Sequence, residues 1–91
     1  MACAPWFKER GVALLGTDTP NDIRPSQYDA MVSPLHALCL VALGLWLIDN
    51  ANLERLSEAC RQLNRHEFMS AIGPLVLRNV TGSPVNPIAV F

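Results

Sequence analysis

The chain of 91 residues carries seven basic and eight acidic side chains, for a net charge of −1, and it has no basic patch of the kind that binds nucleic acid. Hydrophobic residues make up 51% of it and charged residues 16%, against about 25% charged in an ordinary domain. A chain of this length forms one domain at most. We therefore expect a partner, or the rest of a larger fold, to cover some of its apolar surface.

The apolar segments predict neither a membrane span nor a secretory signal. The longest uncharged apolar run, residues 37–48, has 12 residues, and a helix needs about 20 to cross a bilayer. Pro5, Lys8 and Glu9 stand where the apolar part of a signal peptide would be required. The three cysteines, which form no Cys-x-x-Cys pair, are interpreted as free thiols rather than a disulfide. These features predict a cytoplasmic protein.

The first third of the chain predicts a helix, a short strand and a loop. Residues 5–10 can form the helix, with Gly11 ending it, and residues 12–15 follow as a buried strand. Prolines and an Asn-Asp pair make residues 17–26 a loop. Asp18 follows the strand end, where α/β folds bind ligands. It could equally bond backbone amides in its own turn.

Residues 33–50 form the most apolar stretch and predict a helix followed by a strand. Ser33 is the expected N-cap, with Pro34 in the first turn. The helix should run over residues 35–43 and end at Gly44, in a left-handed conformation. Residues 45–48 are too short for a second helix, so we expect a strand buried on both faces.

The remainder predicts one helix and two strands. The helix should be capped by Asn50 or Asn52 and run to about Asn64. A strand over residues 67–72 should break at Gly73-Pro74 and continue over residues 75–77, with a last edge strand at residues 88–91. The predicted fold class is α/β, in which short buried strands alternate with helices.

Only His36 and Asp49 suggest chemistry from their placement. They flank the predicted helix and strand, whose lengths of about 15 Å and 13 Å allow the two ends to return to one place. Such a pair can share a metal ion or work in acid–base catalysis. The alternatives are that His36 is a surface or capping residue and that Asp49 caps the next helix. We interpret His66 as an exposed turn residue.

The order of several motifs resembles the C-terminal part of the cyclase family of metal-dependent hydrolases, which includes kynurenine formamidase (arylformamidase). The motifs span the chain from about Trp6 to Phe91. They are Gly-Val-Ala-Leu-Leu-Gly-Thr-Asp-Thr-Pro at 11–20, Pro-Leu-His-Ala-Leu at 34–38 with Ile-Asp-Asn at 48–50, and Thr-Gly-Ser-Pro-Val-Asn-Pro at 81–87.

The resemblance implies hydrolysis of a small-molecule amide, formamide or lactone by water bound to zinc or manganese. It implies that His36 is a catalytic residue and metal ligand, and that Asp49 is a metal ligand where the family commonly has Glu. The aspartate is one methylene shorter than glutamate, which puts the bridging of a second metal ion in doubt.

The family's main metal motif, His-x-Gly-Thr-His-x-Asp, is absent from this sequence. The resemblance therefore implies a single partial domain over residues 1–91, the incomplete C-terminal half of a larger mixed-sheet hydrolase fold. We expect it to be inactive without an N-terminal half, and that half or a homo-oligomer should cover the apolar surface. The alternative is a non-catalytic α/β interaction module or a degenerate gene fragment.

Overall fold

The structure, a computed structural model, describes residues 2–91, which form two compact units. The first unit ends at Leu53 and the second runs from Glu54 to Phe91. Both contain helix and strand, as the α/β prediction requires. In the described residues no helix has both the length and the apolar character to cross a membrane.

The first unit contains helix α1 (Ala4–Glu9), strand β1 (Leu14–Gly16), helix α2 (Pro34–His36) and strand β2 (Trp46–Ile48). Helix α2 continues directly into a π-helical segment, Ala37–Leu43, which lies against α1. The two strands pair in parallel, with Leu15 opposite Leu47. This architecture confirms the predicted succession of helix, strand, helix and strand.

The π-helical segment ends at Gly44, as predicted. Gly44 has φ +65°, a left-handed conformation that costs a residue with a side chain more than it costs glycine. The N–H groups of Gly44 and Leu45 both donate to the carbonyl oxygen of Cys39. This reversal turns the chain into β2 and buries Leu45.

Two expectations for this unit are wrong. Ser33 makes no side-chain hydrogen bond that caps α2. The strands are not buried on both faces, because Trp46 is 67% exposed and Leu14 is also exposed. A two-stranded parallel sheet has an open edge on each strand, and Ala4, Cys39 and Leu45 form the small buried apolar core of the unit.

The second unit contains helix α3 (Glu54–Leu63) and a hairpin-like pair of strands, β3 (Met69–Ala71) and β4 (Ile88–Val90). The strands are antiparallel, with Ser70 opposite Ala89. On α3, Nε and Nη2 of Arg61 both donate to the carboxylate of Glu58. The expected strand over residues 75–77 is wrong, because that segment is irregular.

Candidate active site

The loop that follows β1 is bound to the end of β2 by backbone hydrogen bonds. The N–H of Thr17 donates to Ile48 at 3.0 Å, and the Thr17 carbonyl accepts from Ala51 at 2.8 Å. The carbonyl of Thr19 accepts from Asn50 at 3.2 Å. The parallel hydrogen-bond pattern therefore continues beyond the ends of both strands. It places the loop residues that follow Thr19 beside Asp49.

Asp49 is oriented by Asn21, which binds one of its two carboxylate oxygens. The backbone N–H of Asn21 donates to Oδ1 of Asp49 at 2.9 Å, and its side-chain Nδ2 donates to the same oxygen at 2.6 Å. Two donors on Oδ1 set the plane of the carboxylate. The other oxygen, Oδ2, faces His36.

Asp22 takes the capping position that the sequence assigned to Ser33. Its Oδ1 accepts from the N–H of Leu35 at 2.7 Å, and its Oδ2 accepts from the N–H of His36 at 3.2 Å. The first N–H groups of a helix have no partner within the helix. A carboxylate from 13 residues earlier therefore satisfies the start of α2, and it fixes the loop against the helix.

His36 lies between the two carboxylates. Its Nδ1 is 2.6 Å from Oδ2 of Asp22, and its Nε2 is 2.9 Å from Oδ2 of Asp49. The Asp22 side chain is 5% exposed, whereas those of His36 and Asp49 are each 31% exposed. The cluster therefore has a buried end at Asp22 and a solvent-accessible end between His36 and Asp49.

The three groups shift one another's pKa values. Burial disfavours the imidazolium, but the hydrogen bonds and charges of Asp22 and Asp49 outweigh it, so the pKa of His36 is raised. Burial likewise disfavours the Asp22 carboxylate, but bonds from Leu35 and His36 leave its pKa lowered. Burial also opposes ionisation of Asp49, and the donors of Asn21 and His36 leave its pKa lowered. The arrangement favours an imidazolium between two carboxylates.

The residues present fit part of a metal site. Bonds from zinc to histidine nitrogen or carboxylate oxygen are about 2.1 Å, so two donors on one tetrahedral ion lie about 3.4 Å apart. His36 Nε2 and Asp49 Oδ2 are 2.9 Å apart, the distance of a hydrogen bond, so they would have to separate by about 0.5 Å to share such an ion. Among residues 2–91, however, no group of three or more His, Cys, Asp or Glu side chains is placed to hold an ion.

The remaining candidates are exposed or make local contacts. Asp18 and His66 are exposed. Ser83, in the Thr81–Pro87 motif, accepts a hydrogen bond from the N–H of Leu75 and donates one to the carbonyl of Pro84. All three cysteines are free, and burial followed by the Asp22 charge raises the pKa of the Cys39 thiol.

Sequence reasoning named His36 and Asp49 but missed Asp22 and Asn21. The Asn-Asp pair by itself indicates only a loop. Ser33 is itself a favourable N-cap, so no signal in the sequence indicated that a carboxylate 13 residues earlier would supply the acceptor.

A search of solved structures finds a close similarity to a crystal structure described as that of a novel cyclase. The TM-score is 0.79 and the sequence identity 33%, over 100% of this chain and 29% of the other. The similarity shows a cyclase-like α/β fold, and the chain spans 29% of the length of the structure that it resembles. No family model and no curated protein matches the chain.

Proposed function

We propose that this chain forms one wall of the active site of a metal-dependent hydrolase of the cyclase family, with a substrate that is an amide, a formamide or a lactone. The observation that carries the proposal is the pair of donor atoms, His36 Nε2 and Asp49 Oδ2, 2.9 Å apart at the accessible end of the cluster. The similarity to a cyclase structure supports it. An activity like that of kynurenine formamidase is the specific form of the proposal.

In this proposal His36 and Asp49 contribute two ligands of a zinc or manganese ion. Such an ion, when bound, lowers the pKa of a water ligand and polarises a carbonyl group. The chain's own residues orient the two ligands: Asn21 binds Oδ1 of Asp49 and leaves Oδ2 available, and Asp22 faces the opposite nitrogen of the His36 ring. The free thiols support the cytoplasm as the compartment.

Further ligands have to come from another segment, in the same or another polypeptide. The chain spans 29% of the length of the cyclase chain it resembles, and the described part of the first unit leaves large apolar side chains exposed, among them Val41 and Trp46. We propose that the rest of the cyclase fold covers these side chains and supplies a His-x-Gly-Thr-His-x-Asp motif.

The test is metal analysis together with hydrolysis assays on a formamide, an amide and a lactone. The chain is assayed alone and after reconstitution with the N-terminal part of a cyclase that carries the motif. Stoichiometric zinc or manganese, and turnover that His36→Gln abolishes and His66→Gln retains, would support the proposal. A reconstituted complex with neither metal nor turnover would overturn it and favour the non-catalytic interaction module.

A further inference from the structure

Asp22 is the most buried charged group of the site, with a side chain that is 5% exposed. Its carboxylate makes three contacts: two with backbone N–H groups at the start of α2 and one with the His36 ring. Since both backbone donors are part of the helix, the carboxylate cannot rotate without losing them. Asp22 Oδ2 is therefore a fixed acceptor at a fixed place.

A fixed acceptor determines which ring nitrogen carries the proton. Both ring nitrogens face a carboxylate, and an ionised carboxylate only accepts hydrogen bonds, so a neutral ring can donate to one of them only. The contact of Nδ1 with the buried, fixed Oδ2 of Asp22 is 2.6 Å and that of Nε2 with Asp49 is 2.9 Å, which favours Nδ1 as the donor. In a neutral imidazole the other nitrogen then carries a lone pair. That nitrogen is Nε2, which points to the accessible end of the cluster beside Asp49.

We propose that Asp22 is a positioning residue for His36: it holds the neutral ring in the Nδ1–H tautomer and directs the lone pair of Nε2 toward the place shared with Asp49 Oδ2. A carboxylate behind a ligating histidine fixes the tautomer and the orientation of the ring and makes it a better ligand. The relevance to metal binding rests on the proposed function, but the tautomer itself does not.

The sequence makes this tautomer measurable, because it contains only two histidines. The experiment is nuclear magnetic resonance of the full chain with ¹⁵N-labelled histidine rings, recorded at alkaline pH, where imidazole is neutral. Exposed His66 is the internal reference. We expect His36 to show a protonated Nδ1 and an unprotonated Nε2, with the Nδ1–H form favoured by about tenfold or more over the other, as a charge-assisted bond would give.

The informative variant is Asp22→Asn, with Asp49→Asn as its matched control. In the first variant the new side-chain amide can present its NH2 group to Nδ1 of His36, which then has to accept, so the proton should move to Nε2. In the control the new amide can donate to Nε2, which leaves the Nδ1–H form in place. His66 should be unchanged in both variants.

The proposal is overturned if wild-type His36 is mainly in the Nε2–H form. It is also overturned if Asp22→Asn keeps the β1–β2 amide spectrum and leaves the tautomer unchanged. Should Asp22→Asn fail to fold, the wild-type spectrum decides alone. If the tautomer depends on Asp22 but the reconstituted complex binds no metal, only the proposed function fails. If the complex binds metal but the tautomer does not depend on Asp22, only the positioning role fails.

Discussion

His36 Nε2 and Asp49 Oδ2 lie 2.9 Å apart across 13 residues of sequence. The helix that starts at Pro34 carries the chain away, the left-handed turn at Gly44 reverses it, and β2 brings it back. The contact therefore depends on the turn and on the pairing of β2 with β1 as much as on the two side chains.

Replacing Asp22 by alanine should lower the free energy of unfolding by about 1–3 kcal/mol, because the substitution removes a helix cap and leaves the partly buried N–H groups of Leu35 and His36 without that acceptor. Urea denaturation of the chain measures the change. The control is Asp18→Ala, an exposed aspartate of the same loop, which should stay within about 0.5 kcal/mol of the wild type. Equal effects of the two substitutions would show that Asp22 does not cap α2.

Removing the Gly44 turn should also destabilise the first unit. Gly44→Ala places a Cβ on a residue with φ +65° where nothing lies within 4 Å, so the cost is conformational, about 1 kcal/mol. Gly73→Ala is the matched control, because that position also has open space and no left-handed backbone. Denaturation midpoints should fall for the first variant alone, and an unchanged Gly44→Ala would contradict the role of the turn.

The stabilising contacts of His36 with Asp22 and Asp49 should weaken both at high pH and at low pH. Its raised pKa means that its contribution is complete below about pH 6.5, the ordinary histidine value, and is lost as the pH rises through the folded-state pKa. The lowered pKa values of Asp22 and Asp49 mean that their contributions are complete above about pH 3.9 and are lost as the pH falls through the folded-state values.

The difference in unfolding free energy between the wild type and His36→Gln should therefore be largest between about pH 4 and pH 6.5. Denaturation curves at a series of pH values measure it. His66→Gln, at an exposed ring, is the control and is measured at the same pH values. A wild-type advantage that grows steadily above about pH 7 would contradict this assignment of charges.

The sequence was sufficient for the order of elements in the first unit, because its strongest signals are local. Proline, glycine and an apolar run mark the beginning, the end and the type of each element, and Gly44 indicated the turn that brings Asp49 back to His36. Helix and strand lengths then bounded the distance between these two residues, although their catalytic and metal-binding roles stay predictions.

What the sequence could not provide depends on contacts between distant residues. Asp22 caps a helix 13 residues away, and no local pattern distinguishes it from Asp18. The prediction that both strands are buried was also wrong. An apolar strand indicates that another segment covers it, but the strand's own sequence does not identify that segment. In the proposed function, the rest of the cyclase fold would cover the exposed Trp46.

Trp46 should therefore matter more for association than for stability. It is 67% exposed, so Trp46→Thr should change the unfolding free energy of the chain by no more than about 0.5 kcal/mol. Binding of the N-terminal part of a cyclase, measured by sedimentation velocity, should weaken by about tenfold or more, because a buried tryptophan is a frequent anchor of interfaces. The matched control is Val76→Thr, at a fully exposed side chain of the second unit, and it should weaken binding less. If both variants bind as the wild type does, the surface around Trp46 is not where the rest of the fold packs.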